Sequence, residues 1–237
     1  MFKDILYFWK RKIDPGFKVK KNDLVIDIGS GDKPFWRGDV FFDKLALADN
    51  QRITETGVIQ NLGMFINGDL LETPFKDKAF DFSFCAHTLE HVERPDVAIE
   101  EIMRISKSGY IEIPNGLLES IDPYQSHLWF VYLNGKKLVF VRKSKKMHKV
   151  LAQNNLGEEG KAWTQPGTPF IRLYWYHKIE YEIIDVLKEE EKFKPVFESK
   201  PNGGSPVLYL LLIRFLRLMF YTRKEDLNVL KLKRHRH

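Results

Sequence analysis

The sequence holds a single cysteine, Cys85, among its 237 residues. No internal disulfide can form, so packing must hold the fold, and a reducing, cytoplasmic setting is expected. Long apolar runs are missing too. The longest, PVLYLLLIRFLRLMFY at Pro206–Tyr221, carries two arginines and is too short to span a bilayer comfortably. The opening residues, MFKDILYFWKRK, do not read as a secretory leader, because charges interrupt the apolar stretch. Internal repeats and low-complexity blocks are absent. So is the G-x-G-x-x-G fingerprint: after Gly29 and Gly31 come Phe35 and Trp36, where a pyrophosphate-binding helix would begin. A bound dinucleotide is therefore disfavoured.

What remains is the composition of an ordinary folded chain, 43% hydrophobic and 30% charged, with aromatics raised to 14%. Its length suits one domain carrying an insertion. The net charge of +6 is unevenly placed. The basic excess lies in Lys3–Lys21, in RKSKKMHK at Arg142–Lys149 and in the tail from Arg214, which leaves the remainder acidic. Such asymmetry suits an anionic partner: a membrane surface, a phosphorylated substrate or nucleic acid. Solvated basic faces would look the same.

Short apolar runs at Leu24–Ile28, Val40–Phe42, Met64–Gly68, Phe80–Ala86 and Gly109–Pro114 predict five strands. RPDVAIEEIMRIS predicts a helix with Pro95 in its first turn and an apolar side made of Val97, Ile99, Ile102, Met103 and Ile105. A short amphipathic helix is expected before these, ending at Gly16. Strands alternating with helices or long connections predict a mostly parallel sheet. After Asn115 the pattern changes. Asn134-Gly135 between two β-rich runs predicts a hairpin, followed by a basic helical segment, the polar loop QNNLGEEG and the aromatic stretch FIRLYWYHKIEYEII. The division expected is one domain over 1–237: a core over about 20–115, a β-rich and helical elaboration over about 116–176, and C-terminal strands with an amphipathic helix over about 177–237.

The tight turn at Gly29-Ser30-Gly31 after a buried strand lets backbone approach a ligand closely. Asp43 lies just past the second strand, where a carboxylate can accept two ribose hydroxyls, and Asp69 lies just past the third. Asp27 sits inside an apolar strand, where an unpaired carboxylate would be costly, so a hydrogen-bonded role orienting the loop is expected. Only about a dozen residues separate Gly31 from Asp43, too few for a standard crossover helix. One helical turn or none is predicted there, with Phe35 and Trp36 packing over the sheet in its stead.

In this order, VIDIGSGD, FFDK, INGDLLETPFKDKAFDFSFCAHTLEHV and GYIEIPN resemble the class I S-adenosylmethionine-dependent methyltransferases, closest to a small-molecule branch with an H-x-L-E-H-V segment. The resemblance covers Leu24 to about Asn115. It implies a Rossmann-like α/β sheet of seven strands, the last antiparallel, with S-adenosylmethionine over the carboxyl ends of the first strands. It further implies Asp27, Gly29, Ser30 and Gly31 as the loop under the methionine part, Asp43 at the ribose, and Asp69 with the Leu70 backbone at the adenine.

HTLEH places His87, Glu90 and His91 where a helix would put them on one face, and it matches the H-x-x-E-H pattern of inverted zinc proteases. That reading needs a helix at His87. Here His87 follows directly on a β-run, so it is expected to end a strand. Within the methyltransferase resemblance His87 faces the transferred methyl group and could take a proton from a hydroxyl, with His91 as a second catalytic candidate. No metal is assigned, although a comparable acidic-histidine segment in ubiquinone-pathway O-methyltransferases binds magnesium. The base-methylating branch carries N-P-P-Y or D-P-P-Y at this position, and this chain has CAHT.

Substrate candidates are Asn115, His127, Trp129 and Trp175, with Tyr124, Trp163, Arg172, Tyr174 and His177 beside them. The function expected is methyl transfer to a small molecule, with O-methylation of a saccharide or a lipid-linked or isoprenoid intermediate favoured by family analogy. A nucleic-acid methyltransferase, a zinc hydrolase using HTLEH and a non-enzymatic cofactor-binding module stay as alternatives. The helix at Pro206–Tyr221 suits a membrane interface, a core or a dimer contact.

Overall fold

The computed structural model describes residues 13–44, 62–121, 123–153, 170–195, 206–221 and 227–230. Most of the expected N-terminal helix, the loop QNNLGEEG and Trp163 lie outside these residues. A short helix α1 covers Asp14–Lys18 and runs through Pro15 and Gly16 rather than stopping there. Gly16 is required for packing, since a Cβ would stand 2.3 Å from the Trp36 indole nitrogen.

Strands β1 (Val25–Ile28), β2 (Val40–Asp43), β3 (Met64–Asn67), β4 (Phe82–Ala86) and β5 (Ser108–Pro114) form a parallel sheet. Strand β8 (Phe170–Tyr176) closes one edge, antiparallel to β5, and the order is β3-β2-β1-β4-β5-β8. The resemblance implies seven strands; among the described residues this sheet has six, with β8 directly beside β5. The segment expected as an elaboration thus gives its last strand to the main sheet. The remainder forms helix α3 (Gly116–Ile121), the hairpin β6 (Trp129–Asn134) and β7 (Lys137–Arg142), and helix α4 (Lys145–Gln153). Strand β9 (Tyr181–Ile184) pairs parallel to β7 and completes a second, three-stranded sheet. Gly135 takes φ +63° in the hairpin turn, a left-handed conformation that glycine adopts without strain.

Alternation along each strand divides the core into two faces. Ile26, Ile28, Cys85 and Ile111 point to the side covered by helix α2 (Pro95–Ile105), whose Ala98, Ile99, Ile102 and Ile105 are buried, and by the second sheet. Val25, Phe82, Phe84 and Tyr110 point the other way. No helix lies between β1 and β2. Phe35 and Trp36 cover that face instead, fully buried, with Phe35 stacked on Phe84 at 4.1 Å between ring centroids.

Helix α5 (Pro206–Phe220) then completes the second face through Ile213 and Leu216. Its Arg217 points inward. The guanidinium donates to the carbonyls of Trp36 (3.0 Å), Gly38 (2.7 Å) and Leu62 (2.9 Å), and stacks 3.8 Å over the Tyr221 ring. Tyr221 in turn donates to Asp39 at 2.8 Å. Arg217 is therefore an internal brace and not part of a basic surface stripe. Among the described residues, no helix is long and apolar enough to cross a membrane.

Candidate active site

A cleft of about 410 Å³ opens at the carboxyl ends of the parallel strands. Its walls include Gly29, Gly31, Asp43, Asp69, Leu70, His87 and His91, seven of the residues singled out from sequence, together with Lys44, Gly68, Thr88 and Glu93. Asp43 ends β2, Asp69 follows β3, and His87 follows β4, so one sheet edge positions all three. Such an edge is where open parallel sheets bind ligands.

The glycine loop is pinned to β2. Gly29 N and Ser30 N donate to Phe42 O at 2.8 and 3.4 Å, and Gly31 N donates to Asp43 Oδ2 at 2.7 Å. All three amides are engaged internally, so the loop does not present the cluster of free donors that cradles a phosphate. Gly29 has φ +69°, and a Cβ there would meet Thr88 Oγ1 at 2.1 Å. Gly31 has φ +53°. Asp27 is buried outside the cleft lining and accepts from Phe35 N at 2.6 Å, bracing the turn that carries Phe35 into the core. Ser30 is also buried, and its hydroxyl has no hydrogen-bond partner among the described residues. Asp69 accepts from Leu71 N at 2.9 Å and pairs with Lys44 at 3.1 Å; the amide bond, more than Lys44, holds its pKa below the ordinary carboxylate value.

His87 follows β4 with φ +55°, a strained position for a non-glycine residue that places its ring in the cleft. Nε2 lies 3.0 Å from Glu112 Oε1, and Nδ1 lies 3.4 Å from Glu90 Oε1. Glu112 is itself fixed, accepting from Tyr110 OH at 2.9 Å and Arg172 Nε at 2.8 Å. The HTLEH segment makes only a single 3₁₀ turn, Leu89–His91, so His87 and His91 do not share a helix face as a zinc-protease helix requires. His91 Nδ1 lies 3.0 Å from Ser126 O. Burial, reinforced by nearby His127, pushes the His91 pKa down to about 4, so its ring is neutral at neutral pH.

The substrate candidates separate. His127 is buried beside His91, with ring centroids 4.7 Å apart, and Tyr124 stacks on it at 4.9 Å. Trp129 lies outside the cleft. It is the buried first residue of β6, donates to Val92 O at 2.8 Å and lies under Arg142 at 4.9 Å. Trp175 pairs with Gly109 at the opposite end of β5 and belongs to the core. Asn115 accepts from Leu117 N at 2.9 Å at the start of α3 and does not line the cleft. Tyr174 pairs with Tyr110 in the sheet, and His177 follows the far end of β8. Sequence reasoning did not single out Glu112, Glu119 or Lys143. The signal was present at Glu112, an acid within the apolar run GYIEIP, as at Asp27.

Residues 41–111 match a protein-family model described as a methyltransferase domain. The core has a class I methyltransferase fold. Two curated relatives that match parts of this chain are these. A demethylmenaquinone methyltransferase from Paenarthrobacter aurescens is 27% identical over 130 residues, 53% of this chain and 51% of the relative. A probable methyltransferase from Aspergillus luteorubrus is 29% identical over 132 residues, 47% of this chain and 44% of the relative. The chain thus spans about half the length of the curated relatives it matches. Among solved structures, a SAM-dependent methyltransferase of Thermotoga maritima, named as a possible histamine N-methyltransferase, aligns with a TM-score of 0.37. It is 15% identical and covers 49% of this chain and 60% of that one. The family match thus runs from β2 to β5 of the parallel sheet, while β8, the second sheet, α4 and α5 come from outside the matched residues.

Proposed function

We propose that this chain transfers a methyl group from S-adenosylmethionine to a hydroxyl of a lipid-linked or isoprenoid acceptor. One observation carries the cofactor half: Gly29, Gly31, Asp43, Asp69 and His87 line a single cleft at the carboxyl edge of the parallel strands. Asp43 would hold the ribose hydroxyls, and Asp69 with the Leu70 backbone would face the adenine. A sulfonium cofactor carries no phosphate anion to be cradled, in keeping with the engaged amides of the glycine loop. The cofactor supplies an activated methyl group, and the protein supplies alignment and a proton acceptor. With Nε2 anchored on Glu112, His87 would take the hydroxyl proton on Nδ1, where Glu90 Oε1 at 3.4 Å would stabilise the imidazolium.

The acceptor class rests on α5 and on one relative's name. Leu211, Phe215, Leu218, Met219 and Phe220 are exposed on this helix, and Arg214 is exposed among them. An apolar strip beside a basic residue suits the surface of an anionic bilayer, where such an acceptor would reside. The demethylmenaquinone methyltransferase is named for an isoprenoid quinone precursor. A nucleic-acid acceptor finds less support: in the basic patch Arg142 pairs with Glu93 and Lys143 is buried against Glu119. The test is incubation with methyl-labelled cofactor and, separately, polyprenyl-linked lipids, free saccharides and RNA. Label in the lipid fraction is expected. Label in RNA alone would overturn the acceptor class.

A further inference from the structure

We infer that Glu90, His91 and His127 form a binding site for a first-row divalent transition-metal ion, zinc being the archetype, at the edge of the cleft. One donor atom from each lies within 4.8 Å of the others. Glu90 Oε1 stands 4.0 Å from His91 Nε2 and 4.0 Å from His127 Nε2. A zinc ion with bonds of about 2.0–2.2 Å needs donors about 3.3 Å apart, so closure asks each side chain to move by well under 1 Å.

Two independent features point to a cation. The first is Glu90 itself. Its side chain is 1% exposed, neither oxygen makes a well-formed hydrogen bond among the described residues, and its nearest charged neighbours are imidazoles, His87 Nδ1 at 3.4 Å and the Nε2 atoms of His91 and His127 at 4.0 Å. Buried carboxylates are otherwise almost always hydrogen-bonded, paired or metal-bound. The second is how both imidazoles are held. His91 Nδ1 is 3.0 Å from the Ser126 carbonyl, and His127 Nδ1 is 2.6 Å from Glu119 Oε2. Neither partner can donate, so each Nδ1 carries the proton and each Nε2 is left as the nitrogen turned toward Glu90. Glu119 is fixed in turn by Tyr124 N at 2.7 Å and by the buried Lys143. Imidazoles held at one nitrogen by a carbonyl or a carboxylate, with the other aimed at a common point, are the usual outer shell of a metal site.

Two nitrogens and one carboxylate suit zinc or its first-row neighbours better than magnesium or calcium, which take oxygen ligands. The ligand set also differs from the zinc-protease expectation. His87 is committed to Glu112, Glu90 becomes a ligand, and the third ligand comes from the segment preceding β6. Backbone bonds fix that segment: Leu128 N donates to Glu90 O at 2.8 Å, and Trp129 holds Val92 O. His91 lines the cleft, so the site borders it. The inference does not depend on methyl transfer.

The test is equilibrium dialysis of tag-free, chelator-treated protein against buffered zinc, with metal content read by mass spectrometry. Cobalt substitution, read by visible absorption, reports the ligand field. Stoichiometric zinc, retained against excess magnesium and raising the melting temperature of the wild type, is expected. Glu90→Gln and His127→Ala should each weaken zinc binding roughly 100-fold or more, Glu119→Gln roughly 10- to 100-fold, and His87→Ala hardly at all. Circular dichroism checks that each variant folds, and the wild-type melting shift needs no variant. No zinc uptake by folded wild type, full retention in both His127→Ala and Glu90→Gln, or loss in His87→Ala alone would overturn the site. Binding of S-adenosylhomocysteine by folded protein that takes up no zinc would refute the metal site and leave the methyl-transfer reading standing; zinc uptake by protein that binds no S-adenosylhomocysteine would do the reverse.

Discussion

His87 stands at the meeting point of the site's buried charges. Its ring is held by Glu112, and its backbone adopts φ +55° to put that ring in the cleft. If Nδ1 takes the acceptor's proton, His87→Ala should lower turnover by roughly 10²–10⁴ while leaving cofactor affinity nearly intact. Activity should partly recover at high pH, where a hydroxyl ionises without help. Full activity in the variant, measured by single-turnover methyl transfer, would remove the base. At this scale the sequence was legible where chemistry marks a residue locally. Gly29, Gly31, Asp43 and Asp69 sit at strand ends and line the cleft. It was illegible where a role depends on distant partners. Trp129 and Trp175 have the composition of a substrate wall, yet the Trp129 hydrogen bond to Val92 and the Trp175 register opposite Gly109 place them in the core. His127 acquires its place only because the start of the hairpin is tied to Glu90 and Val92.

The shortened connection between β1 and β2 has a structural counterpart at the other end of the chain. Phe35, Trp36 and α5 together cover the face that a crossover helix would cover, and Arg217 ties α5 to three backbone carbonyls. The missing helix was readable from spacing, and so was the packing of Phe35 and Trp36. The inward turn of Arg217 was not, because an arginine on an apolar helix reads as a surface residue until its carbonyl partners are in place. Arg217→Ala should cost about 1–3 kcal/mol in urea unfolding through the carbonyls left unpaired. Unchanged stability would argue that α5 is only loosely attached. A second element is tied down by Glu101 of α2. Burial opposes its charge, but Arg104 at 2.6 Å and Thr73 outweigh that and hold its pKa near 2. With a folded pKa below the unfolded one, its stabilisation is complete above about pH 4.5 and is lost as pH falls toward 2. Acid titration of Glu101→Gln should therefore show a smaller stability loss across that window than wild type; an identical loss would assign the acid sensitivity elsewhere.

At the scale of the whole molecule, a class I core carries a second sheet on one side and an apolar helix on the other. The parallel sheet was legible because its strands are short, buried runs bounded by turns. The pairing of β9 with β7 and of β8 with β5 was not, since pairing between distant segments leaves no local trace. The exposed side of α5 makes the molecule a candidate for bilayer contact. Sedimentation with anionic vesicles should bring the protein down, and Phe215→Ser with Leu218→Ser should reduce the bound fraction several-fold without unfolding it. Equal binding by that variant would move the contact elsewhere. The central claim remains the cofactor cleft, and calorimetry with S-adenosylhomocysteine tests it most directly. Saturable binding is predicted for the wild type, and Asp43→Ala, folded by circular dichroism, should bind more weakly by about 1–3 kcal/mol, roughly 5- to 150-fold. No binding by folded wild type, or equal affinity in the variant, would contradict the assignment of this cleft.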